Sequence, residues 1–250
     1  MTFNSLEIYC TIAGCSRTGS TLIGSLLDAH PHIAIANESA APNLFQKGET
    51  RETIFTTILR NCANHARAGK KWTEYQYSIP DQWQGKQKEL KVIGDKLYLV
   101  ATFILHMNPQ VLTNIISITR LKTKFIHCVR NPFDVISTMA LRTKVSLRDR
   151  AGLFFNTCEA ISALRDRQEP EDFLTVKHES LVENPVHTLK NICAFLNCEP
   201  HKDWIDSCSA LLYKQPHKTR TDIPWPAEQI ALVYKRMQEY DFLAGYDFER

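Results

Sequence analysis

No stretch of this chain approaches the roughly 18 to 20 apolar residues that a transmembrane helix requires. Its N-terminus, MTFNSLEIYC, has neither the basic start nor the apolar run of a secretory signal. The expectation is therefore a cytoplasmic protein with no membrane span. Cysteine is present eight times, yet no CxxC occurs, no cysteine pairs with a histidine at zinc-ligand spacing, and the nine histidines form no HExxH. These absences exclude the common zinc signatures. No metal is expected, and the cysteines read as free thiols, mostly in apolar runs such as KFIHCV and NICAFL. A chain of 250 residues buries roughly three quarters of its unfolded surface, so it needs no cross-link. Thirty basic against 27 acidic side chains leave only +3. That is too little for a nucleic-acid partner, which brings a basic stripe, but it allows one cationic pocket for an anion.

What is present is an alternation of short apolar strands and helical segments. Residues 6–13 form a β-rich run, and TLIGSLLDAH from Ser20 onward has helical spacing. Further strands are read at 32–36, 91–95, 124–129 and 173–178. Helices are read at 51–67, from about 132 to 168, and at 185–196, 201–212 and 226–240. Residues 69–91, rich in Lys, Gln and aromatics, read as a mobile loop at the mouth of a site, with Trp72, Tyr75, Tyr77 and Trp83 as a lid; a solvated linker fits the same composition. The pattern predicts an α/β fold, a single domain over residues 1–250, with a parallel sheet and crossover helices on both faces. No internal repeat and no low-complexity segment is present.

Two motifs carry chemistry. The first is Gly14-Cys15-Ser16-Arg17-Thr18-Gly19-Ser20-Thr21, between the first strand and the first helix. It has the GxxxxG frame of a phosphate-cradling loop, in which backbone N–H groups converge on an anion. Ser20 stands where nucleoside-triphosphatases carry the Walker lysine, which argues against an ATPase or ordinary kinase. Arg17 adds a cation, and no carboxylate is at hand for magnesium. A Gly-rich turn capped by Ser and Thr also serves simply to start a helix. The second motif, KFIHCVRNPFDVISTMALR, runs a buried strand into Arg130 and a proline-initiated helix bearing Ser137 and Thr138. At the carboxyl end of a parallel strand, Arg130 is where a second anion would be met.

GCSRTGSTLIGSLLDAHP, the glutamate of ANES, and VRNPFDVIST together resemble the sulfotransferases that use 3′-phosphoadenosine 5′-phosphosulfate (PAPS), most closely the protein-tyrosine and bacterial branch. The resemblance extends through Gly94-Asp95-Lys96, KHESLVENPVHTLKNICAFL, HKTRTDIPW and LAGYDFER. It implies the P-loop nucleoside-triphosphate-hydrolase-like sulfotransferase fold and transfer from PAPS without a metal, leaving 3′-phosphoadenosine 5′-phosphate (PAP). It assigns the 5′-phosphosulfate to Cys15, Ser16, Arg17, Thr18, Gly19, Ser20 and Thr21. Lys96 would stabilise the leaving oxygen, and Glu38 would be the general base, with His30 and His32 in reserve. The 3′-phosphate falls to Arg130 and Thr138, with Ser137 as second choice and Lys218 and Arg220 closing over it. His178 stands where the family usually has a nucleotide-contacting tyrosine. The acceptor is a hydroxyl or amine of a small molecule, lipid or carbohydrate. A P-loop kinase of a small metabolite and a non-catalytic nucleotide-binding protein of the same fold are the alternatives.

Overall fold

The computed structural model describes residues 3–69, 71–72, 75–87, 89–213 and 215–249. Strand β1 (Ile8–Gly14) leads into helix α1 (Ser20–Asp28), and β2 (Ile33–Asn37) into α2 (Ala41–Lys47) and α3 (Arg51–Arg67). A short hairpin, β3 (Lys71–Trp72) and β4 (Tyr75–Gln76), precedes β5 (Val92–Lys96), α4 (Leu99–Met107) and α5 (Pro109–Thr119). There follow β6 (Lys122–Val129), α6 (Pro132–Thr143), α7 (Leu147–Arg165), β7 (Phe173–Lys177), α8 (His178–Glu183), α9 (Pro185–Phe195), α10 (Lys202–Leu211) and α11 (Ala227–Met237).

Five strands form one sheet in the order β2-β5-β1-β6-β7, every pair parallel. Strand β1 shows why both faces are covered. All seven of its residues are buried, and successive side chains point to opposite faces. Ile8, Cys10 and Ile12 enter an apolar layer with α1, α9 and α10, whereas Tyr9 and Ala13 enter another with α2, α3, α4 and α5. A third cluster joins α6, α7 and α11 around Phe133 and Phe155. Gly94 permits the central strands to meet, since a Cβ there would fall 1.8 Å from the Cys10 carbonyl oxygen. Among the described residues no single helix is long and apolar enough to cross a membrane.

Two expectations need correction. The helix read over 132–168 is two helices, because Lys144 adopts a left-handed φ of 54° and Ser146 then caps α7 by accepting from the Asp149 N–H at 3.1 Å. Within the polar stretch 69–91, Gln84 and Gln87 are tied to the body of the protein. Gln84 Nε2 donates to the carbonyls of Ser25 and Tyr77, and Gln87 Nε2 to those of Asp28 and Ile33. Both glutamines are buried and satisfy carbonyls at the end of α1 that would otherwise lack partners. The side chain of Trp72, and residues 70, 73, 74 and 88, lie outside the described part of this segment.

Candidate active site

Parallel strands share one carboxyl edge, which is where open α/β sheets bind ligands. Each strand delivers a candidate there. Residues 15–19 follow β1, Glu38 follows β2, Lys96 ends β5, Arg130 follows β6 and His178 follows β7. Read across the sheet, the order is Glu38, Lys96, the loop, Arg130, His178. At about 4.8 Å per strand the row spans roughly 19 Å. A pocket of about 490 Å³ runs along it, lined by Ser16, Arg17, Gly19, Ser20, Thr21, Glu38, Lys96, Arg130, Thr138 and His178 among others.

The loop is shaped by glycine at one decisive point. Gly19 has φ 91°, and a Cβ there would lie 2.6 Å from His178 Nδ1, so both the backbone and the packing demand glycine. Helix α1 then starts with no side-chain cap, leaving the N–H groups of its first turn for an anion. Arg17 also takes a left-handed φ, 76°, a cost that recurs at ligand-binding loops. Its guanidinium pKa is drawn down, first by burial and then by neighbouring Arg142. Two of the loop residues assigned by resemblance turn away from the pocket. Thr18 Oγ1 donates to the Cys15 carbonyl at 2.8 Å, and Cys15 is buried against Met139, its thiol pushed up to about 12 by burial. They form the turn without lining the cavity, and a thiol of that kind is no nucleophile.

Lys96 Nζ donates to Glu38 Oε1 at 2.5 Å, with the lysine side chain 6% and the glutamate side chain 28% exposed. Glu38 is the third unusual backbone, with φ 55°, and its N–H donates to the Lys96 carbonyl at 2.8 Å. Glu38 is the one carboxylate among the described residues lining the pocket; Arg17, Lys96, Arg130 and Arg142 line it as cations.

At the far end Arg130 Nη2 donates to the His217 carbonyl at 2.6 Å and Nη1 to the Arg17 carbonyl at 3.4 Å. Its Nε and the Nδ1 of His178, both buried, have no hydrogen-bond partner among the described residues. Thr138 lines the pocket, but Ser137 does not: it is fully buried and accepts from Trp225 Nε1 at 2.9 Å. One residue along a helix is a turn of about 100°, which puts the neighbour into the core. Arg220 is likewise inside the protein. Its Nη1 meets Asp134 Oδ2 at 2.5 Å, its N–H donates to Asp134 Oδ1 and its Nε to the Phe248 carbonyl. Lys218 is exposed beside the pocket, which its neighbours His217 and Thr219 line. The reserve bases His30 and His32 are also away from it, because α1 carries the chain back to the opposite sheet edge; His30 Nε2 is bonded to the Glu199 carbonyl and Nδ1 accepts from His32 N–H. Of the expected aromatics, Tyr75 and Tyr77 reach the pocket and Trp83 does not.

Arg142 was absent from the sequence expectations, although a signal exists: it lies four residues after Thr138, on the same face of α6. The wall formed by Leu211, Leu212, Tyr213 and His217 had no such signal.

Burial holds His30 and His178 down to about 4 and His127 to about 3. An unfolded imidazole titrates near 6.5, so on acidification the unfolded chain takes up protons that the fold refuses. Stability therefore falls as pH drops through the window from about 6.5 to 4. Asp95, raised to about 7 by burial, acts in the opposite sense over about pH 4 to 7, since the fold retains that proton. Asp134, also raised by burial, acts with Asp95, and the three imidazoles outweigh the two carboxyls, so the urea midpoint is expected to be lower at about pH 5 than at about pH 7.5. A midpoint that holds or rises on acidification would mean that these imidazoles are charged in the fold.

A strand-loop-helix cradle, a cationic row and an ion-paired carboxylate at one edge of a parallel sheet define an α/β anion-binding protein built for group transfer. The sulfotransferase family model matches residues 10–203, and the chain belongs to that family. Solved structures share its fold. The sulfotransferase domain of the Synechococcus PCC 7002 olefin synthase is 18% identical with a TM-score of 0.54, covering 94% of this chain and 96% of that one. Sulfotransferase STF9 from Mycobacterium avium is 11% identical with a TM-score of 0.55, covering 94% and 77%. Mouse sulfotransferase SULT7A1, solved with PAP, is 12% identical with a TM-score of 0.53, covering 94% and 84%. No curated protein sequence matches.

Proposed function

We propose that this chain, acting as one domain, transfers the sulfuryl group of PAPS to a hydroxyl or amine of a small-molecule, lipid or carbohydrate acceptor in the cytoplasm. The observation that carries the reading is the ion pair of Lys96 and Glu38 in the same pocket as the Arg17 loop, with Arg130 at the other end. Among the described residues, four cations and one carboxylate line the pocket, an excess equal to that of the whole chain. The charge is thus concentrated for one small polyanion, not spread for a nucleic acid.

In this reading Arg17 and the N–H groups of residues 16–21 hold the phosphosulfate. Arg130, Thr138 and Arg142 hold the 3′-phosphate, which would also satisfy the buried Arg130 Nε. Sulfuryl transfer is an in-line displacement governed by positioning and charge stabilisation. The acceptor oxygen or nitrogen bonds to sulfur while Glu38 takes its proton, and the bond from sulfur to the bridging oxygen breaks with its electrons going to PAP. Lys96, freed from Glu38, stabilises that oxygen. Tyr75 and Tyr77, beside Arg17, would contact the acceptor. A metabolite kinase is less well supported, because Ser20 replaces the Walker lysine and the pocket's carboxylate is engaged by Lys96.

PAP is expected to bind with submillimolar affinity and ATP only weakly, measured by titration calorimetry. AMP binding as tightly as PAP would sink the nucleotide assignment, since the two differ by the 3′-phosphate. Radiolabelled donor sulfate offered to a panel of phenols, sugars and lipids would then identify the acceptor.

A further inference from the structure

We infer that Asp95 is a positioning residue for the transfer, a buried carboxylate that sets the Glu38 side chain over Lys96 by holding the backbone of Ser39. The inference rests on Glu38 being the base. Asp95 is fully buried and does not line the pocket. Its Oδ1 accepts from the Ser39 N–H at 3.2 Å and its Oδ2 from the Ser39 hydroxyl at 2.8 Å. Ser39 Oγ in turn accepts from the Ala41 N–H at 3.1 Å, where α2 begins.

The geometry follows from strand alternation. Asp95 and Lys96 are consecutive in β5, so their side chains leave opposite faces of the sheet. Lys96 packs beside Gly24 of α1 and reaches Glu38 from that face, while Asp95 takes Ser39 from the α2 face. Residues 95 and 96 therefore grip residues 38 and 39 at three points: the Lys96 carbonyl on the Glu38 N–H, the Lys96 ammonium on the Glu38 carboxylate, and the Asp95 carboxylate on Ser39. Between them sits a glutamate at φ 55°, a conformation that an unrestrained glutamate rarely keeps. Burial of Asp95 raises its carboxyl to about 7, offset in part by the two hydrogen bonds from Ser39. A buried carboxylate is costly wherever it serves only packing. Here both its oxygens are used on the residue after the base.

A cap on α2 alone and a grip on the base differ in how Asp95 couples to Glu38. Asp95→Ala is expected to lower kcat about ten- to a hundred-fold, as a displacement of the reacting group by a fraction of an ångström to an ångström does. Acceptor KM and PAP affinity are expected to stay within about two-fold, and Asp95→Asn, which keeps an acceptor for the Ser39 N–H, to recover most of the loss. In a Glu38→Gln background Asp95→Ala should cost almost nothing more, since the base it positions is gone. If Asp95→Ala lowers kcat by the same factor in both backgrounds, or weakens PAP binding in parallel, the positioning role is overturned while the base assignment stands. Wild-type turnover in Glu38→Gln alone would remove the base assignment and this role with it. Should Asp95→Ala not fold, Ser39→Ala removes one of the two hydrogen bonds and is expected to give the same pattern at smaller amplitude; an unchanged kcat there overturns the proposal.

Discussion

Glu38→Gln is expected to slow sulfuryl transfer by about a hundred- to ten-thousand-fold, the usual range for loss of a positioned general base, with PAP affinity nearly unchanged. The carboxamide keeps the shape of the side chain and can still meet Lys96 Nζ, which lies 2.5 Å from Glu38 Oε1. It cannot accept the acceptor's proton. Because Glu38 lies at the β2 end of the row and Arg130 at the β6 end, three strand spacings or roughly 14 Å away, the nucleotide's 3′-side contacts should not register the change. Transfer of radiolabelled sulfate and PAP calorimetry on the same preparation separate the two effects. Unchanged turnover would take Glu38 out of the base role. Equal losses in turnover and PAP binding would instead make it a binding residue. Lys96→Met should behave differently, losing turnover by about a hundred- to a thousand-fold through the leaving oxygen and donor affinity as well.

The second large effect falls on a residue that the family resemblance assigned to the nucleotide. Arg220→Met is expected to cost about 3–5 kcal/mol of stability, because it strands the buried Asp134 carboxylate without its cation. The two side chains are 3% and 4% exposed, and the guanidinium also donates to the Phe248 carbonyl. For a chain of this size that is a fall of roughly 6–20 °C in Tm. Thermal unfolding with and without PAP is the measurement. A ten-fold weaker PAP affinity at unchanged Tm would return Arg220 to the binding site.

The physical reason for the Arg220 discrepancy is general to this chain. A basic loop such as HKTRTDIPW has no periodicity that tells which cation turns inward; Arg220 does so because Asp134, 86 residues earlier, offers a buried partner. Ser137 and Thr138 pose the same problem at smaller scale. Both hydroxyls suit a phosphate, and only the docking of Trp225 onto α6 decides that Ser137 belongs to the core. Gln84 and Gln87 of the 69–91 stretch read as solvated for a like reason: their amides are matched to helix carbonyls more than fifty residues away.

What the sequence by itself determined is local in origin. Alternating apolar strands and amphipathic helices imply a parallel sheet covered on both faces; a Gly-rich turn between β1 and α1 implies an anion cradle; and the missing Walker lysine turns that cradle away from ordinary nucleotide hydrolysis. Those properties depend on spacing along a few residues, and spacing is written in the chain. Only the tertiary structure decided which cations share a pocket, that Glu38 and Lys96 meet, and that Asp95 lies beneath them. These facts depend on the sheet order β2-β5-β1-β6-β7, which brings together strand ends separated by more than a hundred residues. The initial lack of charge excess acquires its meaning there, because among the described residues three strand ends and helix α6 bring Arg17, Lys96, Arg130 and Arg142 to one pocket.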